Sequence, residues 1–109
     1  MTEGQIQDAV RLALNDERAC WWRNNIGIAV MLNGARVKYG IGNPGGADLI
    51  GLYAGRFVAV EVKTLTGRMS KEQRQFEQLV ERKGGLYAVC RSADDARALL
   101  ERLRGERPR

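Results

Sequence analysis

The segment ADLIGLYAGRFVAVEVK, residues 47–63, decides the fold because it contains two apolar runs separated by a short turn. The runs, 47–53 and 56–63, are rich in Leu, Ile, Val and Phe, which favour β-strands. Ala54-Gly55 lies between them and is short enough to form a tight turn. The segment therefore predicts an antiparallel β-hairpin.

The register of this hairpin places two acids opposite each other, Asp48 and Glu61. Opposed residues on one sheet face have Cβ atoms roughly 4.5 to 5.5 Å apart, and like charges at that distance destabilise a sheet. A divalent cation would neutralise them, and Mg²⁺ favours one or two carboxylates together with water and substrate phosphate. Alternation along the strand puts Lys63 on the same face. Two acids, a lysine and a hard cation are typical of a site that cleaves phosphodiesters.

Length and composition indicate one small globular domain. The chain has 109 residues, 44% of them hydrophobic and 28% charged, which suits a single folded unit. No apolar run is long enough to cross a bilayer and no signal peptide is visible, so we expect a cytoplasmic protein. Cys20 and Cys90 lie in apolar strand-like segments, where we expect buried free thiols without function.

The charge balance favours a polyanionic partner, with nucleic acid the leading candidate. The formal net charge is +5 and the pI is near 9.7, although part of the excess lies in the Arg-rich end, 101–109. The chain has no histidine, which excludes histidine general bases, His-ligated zinc and nucleases that depend on a catalytic histidine. Any chemistry must therefore use carboxylates, lysine and a hard metal ion.

The rest of the sequence predicts three helices and further strands. Capping boxes at Thr2-x-x-Gln5 and Ser70-x-x-Gln73 begin two of the helices, and Asn33-Gly34 is a strong hairpin signal. The predicted elements are a helix from about Glu3 to about Glu17, strands at 19–23, 28–32, 35–39 and 86–91, a helix from Ser70 through Lys83, and a helix from Ser92 to about Arg104. We expect one domain over 1–104 and a basic, frayed tail at 105–109.

The fold class follows from the residues of the central hairpin. Its strands are apolar on both faces, and such strands are buried on both sides. Helices must then cover each face of the sheet, which predicts a three-layer α/β sandwich with a mixed central sheet flanked by helices.

Four short motifs, taken in order, resemble the PD-(D/E)XK nuclease superfamily and, within it, the virus-type replication and repair nuclease domain, VRR-NUC. They are RNN at 23–25, NPGGADLIG at 43–51, EVKT at 61–64 and GRMSKEQ at 67–73. The resemblance spans Glu3 to about Arg91 and implies a restriction-endonuclease-like fold. The proline that usually precedes the acid is displaced, since Pro44 lies four positions before Asp48.

The resemblance implies a site for Mg²⁺ or Mn²⁺. Asp48 and Glu61 would be metal ligands, with the backbone carbonyl of Val62 as a third ligand and Glu3 as a further one. Spacing alone favours a simpler role for Glu3, as a first-turn acid that interacts with the helix dipole.

The resemblance also implies catalytic roles for two residues. Lys63 would position or activate the attacking water and neutralise charge at phosphorus. Gln73 would orient that water, although its place in a capping box is a sufficient structural explanation.

DNA is the implied substrate, and five basic residues are candidate phosphate contacts. They are Arg23, Lys38, Arg68, Lys71 and Arg74, and each is equally interpretable as a solvated surface charge. Similarity to Holliday junction resolvase-like nucleases of phages or bacteria implies a bacterial or phage-encoded homodimer that cuts four-way junctions or other branched DNA in replication, recombination or repair. Two alternatives stay open: a non-catalytic nucleic-acid-binding module, and a restriction-type or mismatch-type nuclease.

Overall fold

The computed structural model describes residues 1–106 and contains three helices and six strands in that part of the chain. In chain order they are α1 (Glu3–Ala13), β1 (Ala19–Arg23), β2 (Gly27–Val30), β3 (Arg36–Tyr39), β4 (Leu49–Tyr53), β5 (Arg56–Val62), α2 (Lys71–Arg82), β6 (Leu86–Cys90) and α3 (Ala93–Gly105). Among these helices, none has the length and apolar character that a membrane span requires.

The four-stranded central sheet has the order β1-β4-β5-β6, in which β5 and β6 are parallel and the other pairs antiparallel. The predicted register of the β4–β5 hairpin is confirmed, since Tyr53 pairs with Arg56 and Ile50 with Ala59. Ala54 and Gly55 have φ values of 48° and 85°, as a type I′ turn requires. The strands are shorter than predicted, because Asp48 precedes β4 and Lys63 follows β5.

Helices cover both faces of this sheet, so the three-layer α/β prediction is confirmed. Helices α1 and α3 pack on one face over a core that includes Val58 and Val60. Helix α2 packs on the other through Phe76 and Val80, which contact Ala59. The residues of β5 alternate between the two cores, which explains why the strand is apolar on both faces.

The prediction that the first helix extends to about Glu17 is wrong, because α1 ends at Ala13. Asp16 turns the chain, since its Oδ1 accepts a hydrogen bond from the backbone N–H of Arg18 at 2.8 Å. The indole Nε1 of Trp21 donates to the carbonyl of Leu14 at 2.9 Å. The Trp21 side chain thus satisfies a carbonyl at the end of α1 that a longer helix would pair with its own backbone, and Asp16 stabilises the turn that follows.

Strands β2 and β3 form a separate two-stranded sheet. Asn33-Gly34 located its turn correctly, but the loop contains three residues, since Met31 N donates to Ala35 O at 2.8 Å across it. Gly34 has φ 85°, which matches a type I turn followed by a left-handed residue. Every residue from Ile28 to Tyr39 is exposed.

Two smaller expectations need correction or qualification. Cys20 is exposed on the edge strand β1, whereas Cys90 is buried, and its burial raises the pKa of the thiol to about 12. Helix α3 continues to Gly105, and Glu106 accepts from Arg56 and Arg102. These two residues of the predicted frayed tail are therefore attached to the domain, and 107–109 lie outside the described residues.

Candidate active site

Asp48 is held at the mouth of the β4–β5 hairpin by two hydrogen bonds. Its backbone carbonyl accepts from the backbone N–H of Asn24 at 2.8 Å. Its Oδ2 accepts from the backbone N–H of Val62, also at 2.8 Å. The carboxylate therefore takes the place of a backbone partner for Val62 N on β4. Within residues 1–106, its second oxygen accepts no hydrogen bond.

Glu61 is the one charged residue in the described part of the chain that is buried, with 3% of its surface exposed. Its Oε2 accepts from Nε2 of Gln73 at 2.8 Å and lies 3.4 Å from Nζ of Lys63. The pKa of the carboxyl is raised to about 7, first by burial and then by the negative charge of Asp48, while Lys63 acts in the opposite direction. The lysine therefore compensates only part of the acidic charge of this pair.

Gln73 serves two contacts with the two ends of its amide. Oε1 accepts from the backbone N–H of Ser70 at 2.8 Å, which completes the predicted capping box at the start of α2. Nε2 donates to Glu61. The capping and site interpretations of Gln73 are thus compatible, because the cap orients the amide that holds the acid.

These side chains open onto a cleft of about 460 Å³. Its lining includes Glu3, Asp48, Glu61, Lys63 and Gln73. Glu3 shares the cleft, but residues 1–106 contain no group of three His, Cys, Asp or Glu side chains close enough to hold a metal ion. The acids that approach each other are therefore two, Asp48 and Glu61.

The five basic candidates lie at different distances from this cleft. Arg23 and Asp48 line an adjoining cleft of about 520 Å³, together with Tyr39 of β3. Lys38 lies on the exposed β2–β3 hairpin. Arg68, Lys71 and Arg74 are exposed in the loop before α2 and in its first turns, and they line neither cleft, although their neighbours Ser70 and Glu72 line the first.

The glycine-rich loop 40–46 packs against the protein, which accounts for its composition. A Cβ on Gly45, whose φ is 90°, would stand 2.2 Å from the carbonyl oxygen of Glu72 in α2. A Cβ on Gly46 would stand 2.0 Å from the carbonyl oxygen of Ile41. These positions need glycine for close packing between the loop and the start of α2.

Two asparagines of the quoted motifs, to which the sequence alone assigned no role, fix this loop. Asn24 Nδ2 donates to the carbonyls of Ile41 and Ala47 at 2.8 and 2.9 Å, and its Oδ1 accepts from Ile41 N at 3.0 Å. Asn43 Nδ2 donates to the carbonyls of Gly27 and Tyr39, both at 2.8 Å. Asparagine is common in loops, so its presence in the sequence does not indicate this role. The role becomes visible only in the fold, which brings these distant partners together.

The fold and the site together define a class. A mixed sheet between helical layers, with an acid before one strand and Glu-x-Lys at the end of the next, is the arrangement of a PD-(D/E)XK-type nuclease. The family model of the VRR-NUC domain matches residues 1–94. The chain belongs to the VRR-NUC family, and it is a nuclease-type domain, which implies DNA as the substrate. The comparison with curated proteins gives no match.

Proposed function

We propose that this protein is a metal-dependent endonuclease that hydrolyses phosphodiester bonds of DNA. The observation that carries the proposal is the meeting of Asp48, Glu61 and Lys63 in one cleft, with Glu61 buried. A buried acid beside a second acid is costly unless a cation compensates it. The Lys63 ammonium supplies part of that charge.

The residues present fit Mg²⁺ or Mn²⁺. Asp48 uses Oδ2 for Val62 N, and Glu61 uses Oε2 for Gln73 and Lys63. The remaining oxygen of each acid is available as a ligand, and carboxylate oxygens are what hard divalent cations prefer. The carbonyl of Val62 would be the third protein ligand, whereas Glu3 lines the same cleft without forming a three-acid group with Asp48 and Glu61.

The protein groups around the acids have distinct proposed tasks. A bound divalent cation would supply Lewis-acid stabilisation of the phosphate and a more acidic water. Lys63 would hold the attacking water and neutralise charge that develops on the phosphoryl oxygens. Gln73 fixes the orientation of Glu61 by its hydrogen bond. We therefore assign it a positioning role, in addition to the proposed role in orienting the attacking water.

We propose branched DNA, such as a four-way junction, as the preferred substrate and a homodimer as the active form. A domain of 109 residues contacts little DNA by itself, and two sites are needed to cut two strands. This step follows the resemblance to junction-resolving nucleases. Light scattering coupled to gel filtration tests it, since an active enzyme that remains a monomer would rule out the dimer.

Cleavage assays test the proposed activity directly. Labelled four-way junction, flap, linear duplex and single-stranded DNA would be incubated with Mg²⁺, Mn²⁺ or EDTA. We expect cutting only with a divalent cation, abolished in Lys63→Ala and retained in Lys83→Ala, a matched change of an exposed lysine. Binding without cutting under every metal condition would instead support a non-catalytic module.

A further inference from the structure

The β2–β3 hairpin, residues 27–39, is an exposed extension of the domain that we call the arm. Its residues from Ile28 to Tyr39 are all exposed, and none belongs to either hydrophobic core. An isolated two-stranded hairpin is at best marginally stable. The arm therefore contributes little to the stability of the fold. A binding role would explain why the domain carries it.

The charged side chains of the arm are all cationic. From Arg18 to Ala47 the sequence contains no Asp or Glu, and the cations of this stretch on the arm or just before it are Arg23, Arg36 and Lys38. A stretch of 30 residues without an acid is notable in a chain with 13 acids. This part of the surface is complementary to a polyanion.

The two faces of the arm differ chemically. Lys38 pairs with Ile28 and Arg36 with Val30, so both cations lie on one face. Ala29 pairs with Val37 on the other face, which carries no charge. Two copies of the chain that met through the cationic face would bring like charges together, so that face suits a polyanion better than a second copy.

The root of the arm is tied to the cleft. Asn43 spans both strands by donating to Gly27 O and Tyr39 O, and Asn24 ties the following loop to Ala47, the neighbour of Asp48. The arm is thereby held at a fixed position relative to the acids. The cleft that contains Asp48 also reaches Tyr39 at the arm's root.

The dimensions of the arm match a groove of duplex DNA. With a rise of about 3.3 Å per residue, the run from Gly27 to the loop is roughly 13 to 17 Å long. The major groove is about 12 Å wide and admits a two-stranded β-ribbon. We propose that the arm lies in the major groove of the duplex beside the cleaved phosphodiester, with Arg36 and Lys38 on the phosphates that border the groove. This inference rests on the proposed DNA substrate.

Equilibrium binding in EDTA tests the arm separately from cleavage. The probes are a labelled linear duplex and a four-way junction, with affinity measured from 50 to 200 mM salt. The test variant is Arg36→Gln with Lys38→Gln. The control, Arg82→Gln with Lys83→Gln, removes the same charge from the exposed end of α2, and thermal unfolding verifies that both variants fold.

Loss of two phosphate contacts should reduce the slope of log K against log salt by about 1.8 in the arm variant. We expect Kd to rise roughly tenfold at moderate salt, and the control to keep both values. A duplex with bulky groups at the pyrimidine 5-position should bind more weakly, because those groups fill the major groove, while a minor-groove competitor should have little effect.

An unchanged salt slope in the arm variant would overturn the proposal even if the wild type cuts DNA. A second pair of results would also overturn it. If Val37→Asp converted a dimer into a monomer while Arg36→Gln with Lys38→Gln left DNA binding unchanged, the arm would be a contact between two copies of the chain. Failure of the proposed nuclease function is distinguishable, because the wild type would then show arm-dependent binding without metal-dependent cutting.

Discussion

Residues 1–106 contain two β-hairpins of similar size with opposite environments. The β4–β5 hairpin is covered by helices on both faces and carries acids at its open end, whereas the β2–β3 arm is covered on neither face and carries cations. Hairpin formation is local in both, but burial depends on which helices pack against the strands. Burial holds Glu61 in one orientation, and exposure leaves Arg36 and Lys38 accessible to a large ligand.

The largest expected difference between the two hairpins is in catalysis. Lys63→Ala should lower kcat by at least about 100-fold, since it removes a charge that acts on the transition state. Lys38→Ala should mainly raise KM with kcat retained, because a groove contact contributes to binding alone. Steady-state kinetics on a junction substrate measure both. Equal effects of the two substitutions on kcat would contradict the division into a catalytic β4–β5 hairpin and a DNA-binding arm.

The second difference is in stability. Val60→Ala in β5 should lower the free energy of unfolding by about 2 to 3 kcal/mol, because Val60 is fully buried and a cavity remains. Val37→Ala in the arm, where 48% of the side chain is exposed, should change it by less than about 0.5 kcal/mol. Urea unfolding compares them directly. A large loss from Val37→Ala would show that the arm is packed in solution.

The third prediction concerns pH. The pKa of Glu61 is raised from 4.5 to about 7 in the folded protein, so the folded state binds the proton more tightly than the unfolded state. Without divalent cations, stability should therefore fall as pH rises from about 4.5 to 7 and then level off. The effect should be of the order of 1 to 3 kcal/mol.

Chemical unfolding in EDTA across this pH range provides the measurement, with Glu61→Gln as the control. The variant keeps the size of the side chain and an oxygen for Gln73, but it does not titrate. Its stability should vary less over the same window. Parallel curves for the two proteins would show that Glu61 titrates normally.

The smallest expected effect is at the turn of the buried hairpin. Ala54 has φ 48°, a conformation that asparagine tolerates better than alanine. Ala54→Asn should therefore stabilise the protein by about 0.5 to 1 kcal/mol. Asn33→Ala in the arm should remove the hydrogen bond that Ala35 N donates to Asn33 Oδ1, with little change in global stability. Thermal unfolding would detect the first, and a destabilising Ala54→Asn would contradict the turn type.

The contrast also explains what the sequence could predict. The β4–β5 register followed from two apolar runs and a two-residue turn, and the layers followed from strands apolar on both faces. Both are properties of short segments. The roles of Asn24 and Asn43 depend on partners 16 to 23 residues away, which no local pattern records.

Helix α1 shows a different limit. The apolar periodicity continues to Leu14, but Asp16 and Trp21 provide alternative hydrogen bonds that end the helix early. Side-chain competition of this kind requires knowledge of where β1 lies. For the same reason, Gln73 could be predicted as a cap, while its contact with Glu61 depends on how α2 packs over the sheet.

The central claim is that Asp48 and Glu61 together hold a divalent cation. The most direct test is titration of the purified protein with Mn²⁺ at pH 8, where Glu61 is ionised, with free Mn²⁺ followed by electron paramagnetic resonance. We predict one saturable site per chain that is lost in Asp48→Asn and in Glu61→Gln and is retained in Glu77→Gln, a matched acid on α2. Binding that is equally weak in the wild type and in both site variants would contradict the claim.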